Sequence, residues 1–298
     1  MTPSEPEVLL VREAGVGGAR LRDQGSLERI RRGAYVERSP SLGPARDRRR
    51  LALARIRAVH AQLEVEHWFS HESAALLWGC DVVGVTGLVH VVQGTRPHSR
   101  TADPVVRHFG RLPGADRGTV GGFPVTSLAR TVVDCASTLA GGSGLVVADS
   151  ALRHGLDPAD LDAVLRARGG SRGITRAREV VAMADGRAES PGETLTRWAL
   201  LSNGLPGAVP QLEVRTRRGV FRLDLGWSGS RVGLEFDGFV KYSGEFGSTA
   251  PEAVFAEKQR QDAIEDEGWR ILRVSWGDLR DTDALVSRVR RALARRPR

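Results

Sequence analysis

Three carboxylates in one short stretch, Phe221 to Asp237, have the strongest claim to chemistry: FRLDLGWSGSRVGLEFD. Two runs of alternating apolar residues flank the tight turn Trp227-Ser228-Gly229-Ser230-Arg231, the pattern of an antiparallel hairpin. Alternation puts Phe221, Leu223, Leu225 and Trp227 on one face of the first strand and Asp224 on the other. In the second strand Val232, Leu234 and Phe236 share one face, and Glu235 and Asp237 share the opposite one. A three-residue loop sets Asp224 across from Leu234 or from Glu235, depending on whether a bulge shifts the register. Opposed residues have Cβ atoms roughly 4.5–5.5 Å apart. Carboxylates that close repel and raise one another's pKa unless a cation lies between them. A hard divalent ion with oxygen ligands, Mg²⁺ or Mn²⁺, fits that need. The plain alternative is a solvated polar face; acids aimed apart, or pinned by arginine in a closed ion pair, would speak against the ion and remove the basis for any chemistry built on it.

The elements that must position these acids are well punctuated. Ser190-Pro191-Gly192-Glu193 reads as a capping box with proline at the first helical position, opening a helix that ends at Asn203-Gly204. Residues 209–216 read as a strand, and the hairpin follows. Thr249-Ala250-Pro251-Glu252 is a second capping box, starting a helix that Gly268 ends. Arg270 to Trp276 reads as a closing strand, and 282–295 as a final basic helix. The order is αβββαβ with one helix more. Only two lysines occur in the chain, Lys241 and Lys258, both within or just after the acidic hairpin. Where arginine is the default cation, a lysine suggests a need for a compact, deprotonatable ammonium. All seven histidines lie at or before His154, so no imidazole can act as general base in this region.

Residues 189–280 resemble the very-short-patch-repair-like endonucleases of the PD-(D/E)XK superfamily, through SPGET…RWALLSNGLP, PQLEV, RLDLGW, VGLEFDG and EKQRQDAIEDEGWRILRVSW. The resemblance implies a metal-dependent DNA endonuclease hydrolysing phosphodiester bonds. Asp224 and Glu235 would be the metal ligands, with Glu193 approaching from the preceding helix. Asp237 stands where the superfamily's formula has lysine, which leaves Lys258 or Lys241 to orient the water. Arg260 would hold the DNA backbone. Residues 20–36 and 70–135 resemble the actinobacterial relatives of AbiEi-type antitoxins, through RIRRGAYV, SHESAALLWG and PVTSLARTVVD. That resemblance supports a rival reading: a non-catalytic DNA-binding regulator, the antitoxin of a type IV toxin–antitoxin system. Its partners would be a cognate toxin protein and a second copy of the chain, with the nuclease fold as a binding or homodimerisation platform.

The N-terminal region carries the second functional expectation. Arg20 to Gln24 reads as a helix end stopped by Gly25, and Leu27–Ile30 and Ala34–Val36 read as two strands turning through Arg32-Gly33. Helix then basic hairpin is the geometry of a winged helix-turn-helix, here truncated because too few residues precede Arg20. Arg20, Arg22, Arg29, Arg31 and Arg32 would meet phosphate. Pro44 to about Glu66 reads as a long helix with Leu51, Ile56, Val59 and Leu63 as its apolar stripe. His71, with no cysteine or second histidine at metal spacing, reads as a helix-start or packing residue. The resulting division is a winged-helix-like module (1–44), a mixed α/β middle domain (45–188) and a nuclease-like domain (189–298), α+β in class.

At 298 residues with 41% hydrophobic and 27% charged residues, the chain has the composition of a globular protein of two or three domains. A net charge of +8 suits a polyanionic partner such as DNA. No apolar run reaches a membrane span, and the N-terminus lacks the basic-then-apolar pattern of a signal peptide. Cys80 and Cys135 stand far apart, which fits a reducing, cytoplasmic setting rather than a disulfide framework.

Overall fold

A computed structural model of the chain describes residues 8–11, 26–95, 105–238 and 251–295. They divide into two compact units. The first takes Met1–Leu139 and Leu156–Val181, the second Ala140–Gly155 and Ala182–Arg298. The architecture is mixed α/β in both, and each unit has its own sheets and core.

In the first unit, β1 (Val8–Leu10), β2 (Leu27–Arg31) and β3 (Ala34–Glu37) form an antiparallel sheet in the order β1-β3-β2. Gly33 (φ 74°) makes the turn after Arg32. The expected basic hairpin is therefore present, and β1, too short to leave a pattern in the sequence, pairs with its second strand. Helix α1 (Pro44–Gln62) buries Ala54 and Ala58 against Leu10, Ile30, Ala34 and Val36. Its Ala52, Ile56 and Val59 join Phe69, Val89, Val91 and Val125 in a second core. Those four residues come from a five-stranded mixed sheet of β4 (Trp68–Phe69), β5 (Val89–Gln93), β6 (Val105–Phe109), β7 (Arg117–Val120) and β8 (Phe123–Thr126). Its order is β6-β5-β4-β8-β7, with β5 and β6 parallel. Helices α2 (His71–Leu77) and α3 (Leu128–Thr138) pack on it. Ser127 caps α3 by accepting from the Arg130 amide.

The second unit begins with α4 (Ser143–Arg153); α5 (Pro158–Ala167) and α6 (Ile174–Ala182) return the chain to the first. Then follow α7 (Pro191–Ser202), β9 (Val209–Thr216), β10 (Gly219–Trp227), β11 (Val232–Asp237), α8 (Pro251–Asp266), β12 (Arg270–Ser275), α9 (Trp276–Arg280) and α10 (Thr282–Ala294). The sheet order is β12-β11-β10-β9. The first three strands in sequence form an antiparallel meander, and β12 runs parallel to β11 after the α8 crossover. Leu200 of α7 and Leu285, Val286 and Val289 of α10 cover one face, against Leu225, Trp227, Val232, Leu234 and Val274. Ile264 of α8 packs against Val214 and Leu223 on the other.

That arrangement corrects one sequence expectation. Phe221 and Leu223 do not share a face with Leu225 and Trp227. The first two belong to the α8 cluster and the last two to the α7–α10 cluster. The alternation breaks at Asp224, where the β9–β10 ladder skips a pair opposite Gln211, itself left-handed at φ 51°. Helix α7 is tied down by buried ionic contacts. Asp149 of α4, 1% exposed, accepts from Arg197 Nη2 at 2.6 Å and Thr194 Oγ1 at 2.8 Å. Its other oxygen accepts from the Asp185 amide at 2.8 Å.

Candidate active site

The β10–β11 register pairs Leu225 with Leu234, so the next position sets Asp224 across from Glu235. Of the two registers open to the sequence, this is the one that brings two acids together. The turn achieves it with Ser228–Ser230 in a 3₁₀ turn and Arg231 in the left-handed region (φ 48°). The Arg231 side chain donates to the Glu267 carbonyl at 2.8 Å, holding that strained residue in place.

Asp224 is half-buried, and its Oδ2 accepts from the Phe236 amide at 2.7 Å. Burial pushes its pKa up, the Phe236 hydrogen bond pulls it down, and the charge of Glu235 raises it again. Glu235 is also raised, chiefly by burial, with Arg260 opposing. Arg260, on α8, donates from Nη1 to Glu235 Oε1 at 2.7 Å, and Nη2 contacts the same oxygen. The arrangement that speaks against a standing metal ion is thus present at Glu235: a guanidinium supplies the positive charge.

Glu193 comes close through α7. A Cβ at Gly192 would overlap the Phe236 ring, so only glycine lets the helix start approach β11 this closely. The Ser190 hydroxyl accepts from the Glu193 amide at 3.2 Å, as the sequence led one to expect. The return contact is displaced by one residue: Glu193 Oε2 accepts from the Glu189 amide at 3.0 Å and from Gln211 Nε2 at 3.2 Å. Ser190 Oγ donates to Oε1 at 2.8 Å. Burial raises the Glu193 pKa, and the charge of Asp224 adds to it.

The remaining candidates separate. Asp237 is exposed at the end of β11, beside Ser275 of β12. Lys258 is exposed two residues before Arg260, and residues two apart do not share a helix face. Lys241, Arg20, Arg22 and the Thr249 capping box lie outside the described residues. Arg29 and Arg32 are exposed on the β2–β3 hairpin, while Arg31 is half-buried.

The sequence reading missed one cluster in the first unit. His90 on β5 and His108 on β6 lie on the same face of their parallel pair, since Val92 is the residue opposite His108. His71, at the start of α2, stacks on His108 with ring centroids 3.9 Å apart. His71 does stack on its neighbours, but the expectation that no second histidine sits at metal spacing fails, since His90 and His108 both lie within ligand distance of it. The signal was histidine two positions out of register on one face of two strands, which is invisible until those strands are paired.

Relatives were found along nearly the whole length. "Uncharacterized protein MT2308" and "Uncharacterized protein Rv2248", from the CDC 1551 / Oshkosh and ATCC 25618 / H37Rv strains of Mycobacterium tuberculosis, are each 27% identical over 274 residues. The match covers 91% of this chain and 94% of each relative. No protein-family model and no solved structure matches the chain.

Proposed function

We propose that the second unit is a metal-dependent DNA endonuclease of the PD-(D/E)XK type, with the basic N-terminal hairpin as an additional DNA contact. The observation that carries this reading is that Asp224 and Glu235 adjoin the Leu225–Leu234 pair on adjacent strands, both half-buried, and that the charges of Glu235 and Asp224 are felt at Asp224 and Glu193 respectively. The αβββαβ order around them supports it.

The donor set fits Mg²⁺ or Mn²⁺: carboxylate oxygens from two neighbouring strands, and few of them, as magnesium accepts. Such an ion, when bound, would lower the pKa of a water and stabilise charge on the phosphoryl oxygens. The chain's own groups do the rest. Arg260 holds Glu235 while the site is closed; released, its planar fork suits a phosphate of the DNA backbone. Glu193, held by three donors, keeps Asp224 company as a fixed acid and contributes to its environment. Lys241 or Lys258 would orient a water.

The Arg260–Glu235 pair also favours a second reading, in which the fold binds DNA without cutting it, as a regulator or antitoxin. Plasmid assays separate the two. Supercoiled DNA with Mg²⁺ or Mn²⁺ should be nicked by the full chain, and not by Asp224→Ala or Glu235→Ala. DNA binding without nicking, unchanged by either substitution, would establish the regulator instead.

A further inference from the structure

His71, His90 and His108 each place one ring nitrogen within 4.8 Å of the other two. They arrive from three elements that the backbone ties together. The Ser70 amide donates to the His90 carbonyl at 3.0 Å. The His90 amide donates to Ser73 Oγ at 2.9 Å, fastening the start of α2 to β5 on both sides. His71 sits at φ 51°, a conformation bulky residues seldom adopt and which strong local constraints must maintain.

We propose that these three imidazoles form a binding site for a zinc-type divalent transition-metal ion, with a fourth coordination position left open. Three histidines with one free position is a ligand set such ions accept. His90 Nδ1 and His108 Nε2 already lie 3.1 Å apart. Two nitrogens on a tetrahedral ion at Zn–N of about 2.0–2.1 Å stand about 3.3–3.4 Å apart. That pair already has the spacing an ion needs, and its rings have only to turn so that both lone pairs converge on one point. The two nitrogens now share one proton; loading the ion moves it to the far nitrogen of its own ring, a tautomer change with no net proton release. His71 must swing its ring out of the stack to close the wider gap.

The surroundings favour ligation over titration. Burial and mutual repulsion hold His71 and His90 in the neutral, ligand-competent form. Among the described residues the charged groups facing the cluster are Arg130, Arg168 and Asp134, the last pairing with Arg130 at 3.0 Å and with Arg168 at 3.6 Å. No carboxylate among the described residues joins the three rings. The Ser70 hydroxyl lies 3.0 Å from His71 Nδ1, which reserves Nε2 for the metal. Ser70 Oγ makes no cap to its own helix, so this contact to the ring is its evident structural task.

The test uses the full chain carrying Asp224→Asn and Glu235→Gln, which removes the acid pair as a competing site. Titration with Co²⁺ should give one equivalent bound with the visible absorption of a nitrogen-ligated, low-symmetry ion, and Zn²⁺ should displace it. His90→Asn and His108→Asn should abolish that spectrum, and Ser70→Ala should weaken binding about 10–100-fold. Should the histidine variants unfold, ¹⁵N spectra of labelled histidine in the parent chain decide: Zn²⁺ should shift the ring nitrogens of three histidines and leave those of the other four unchanged. Absence of binding, or a Co²⁺ spectrum unaltered by the folded variants, overturns the proposal.

Discussion

Arg260 and Glu235 form a closed pair, Nη1 to Oε1 at 2.7 Å, with the arginine side chain 26% and the glutamate side chain 14% exposed. The same arginine reaches the Arg222 carbonyl at 3.4 Å, so it bridges β10 and β11 from α8. It thereby neutralises Glu235 and takes up one of the oxygens that an ion would need.

Removing this competitor has opposite effects on the two ligands. Arg260→Ala should bind Mn²⁺ more tightly than the parent chain in the absence of DNA, read by calorimetry or electron paramagnetic resonance. Plasmid affinity should fall, and the slope of log K against log salt should shrink by about 1, as expected for one lost phosphate contact. A variant with unchanged Mn²⁺ affinity would show that the pair does not guard an ion site.

The raised pKa of Asp224 gives a signed pH prediction. A carboxyl whose folded pKa lies above its unfolded value favours folding at low pH, and that contribution is lost as pH rises through the folded pKa. Above that point the ionised group costs stability. Asp224→Asn keeps an oxygen for the Phe236 amide and should raise the melting temperature at neutral pH, but not at pH 3. The gain should be at the low end of roughly 0.5–2 kcal/mol, because solvent screens a half-buried group. Calorimetric scans at both pH values check it.

The histidine cluster predicts acid lability of the first unit. Burial first, then neighbouring histidines, depresses His71 to about 2 and His90 to about 4. A depressed histidine supports the fold fully above its unfolded pKa of about 6.5, and that support declines as pH falls towards the folded value. Chemical denaturation between pH 7 and 4 should show stability dropping, and His90→Asn should flatten the slope.

Gly192 is the spacer between helix and strand. Gly192→Ala should cost about 1–3 kcal/mol, the usual penalty of overpacking, because its methyl must displace the Phe236 ring. Combining it with Phe236→Ala should give less than the sum of the two losses, since the clash is gone. Urea denaturation of the four proteins completes the cycle.

What could be read from the sequence follows the reach of local chemistry. Proline and capping residues placed the start of α7, and glycine the turn at Gly33. The register that leads from Leu225–Leu234 to Asp224 and Glu235 was one of two the turn allowed, and it goes with a left-handed Arg231 that the sequence does not announce. The face change at Asp224 was not legible, because it depends on an interruption in the partner strand at Gln211. Arg260 drew notice as a phosphate contact; its hold on Glu235 arises from a crossover that no local pattern encodes. The histidine cluster required the pairing of β5 with β6.

The Asp149–Arg197 contact bears on how this protein can be dissected. Arg197 is 5% exposed and belongs to α7, but its counter-charge lies on a helix some fifty positions upstream. A fragment trimmed at residue 189, where the nuclease-like resemblance starts, would strand that guanidinium in an apolar setting, a loss of about 3–5 kcal/mol. Inactivity of such a fragment would therefore report a broken scaffold and say nothing about its chemistry; a useful excision has to retain the segment from residue 140.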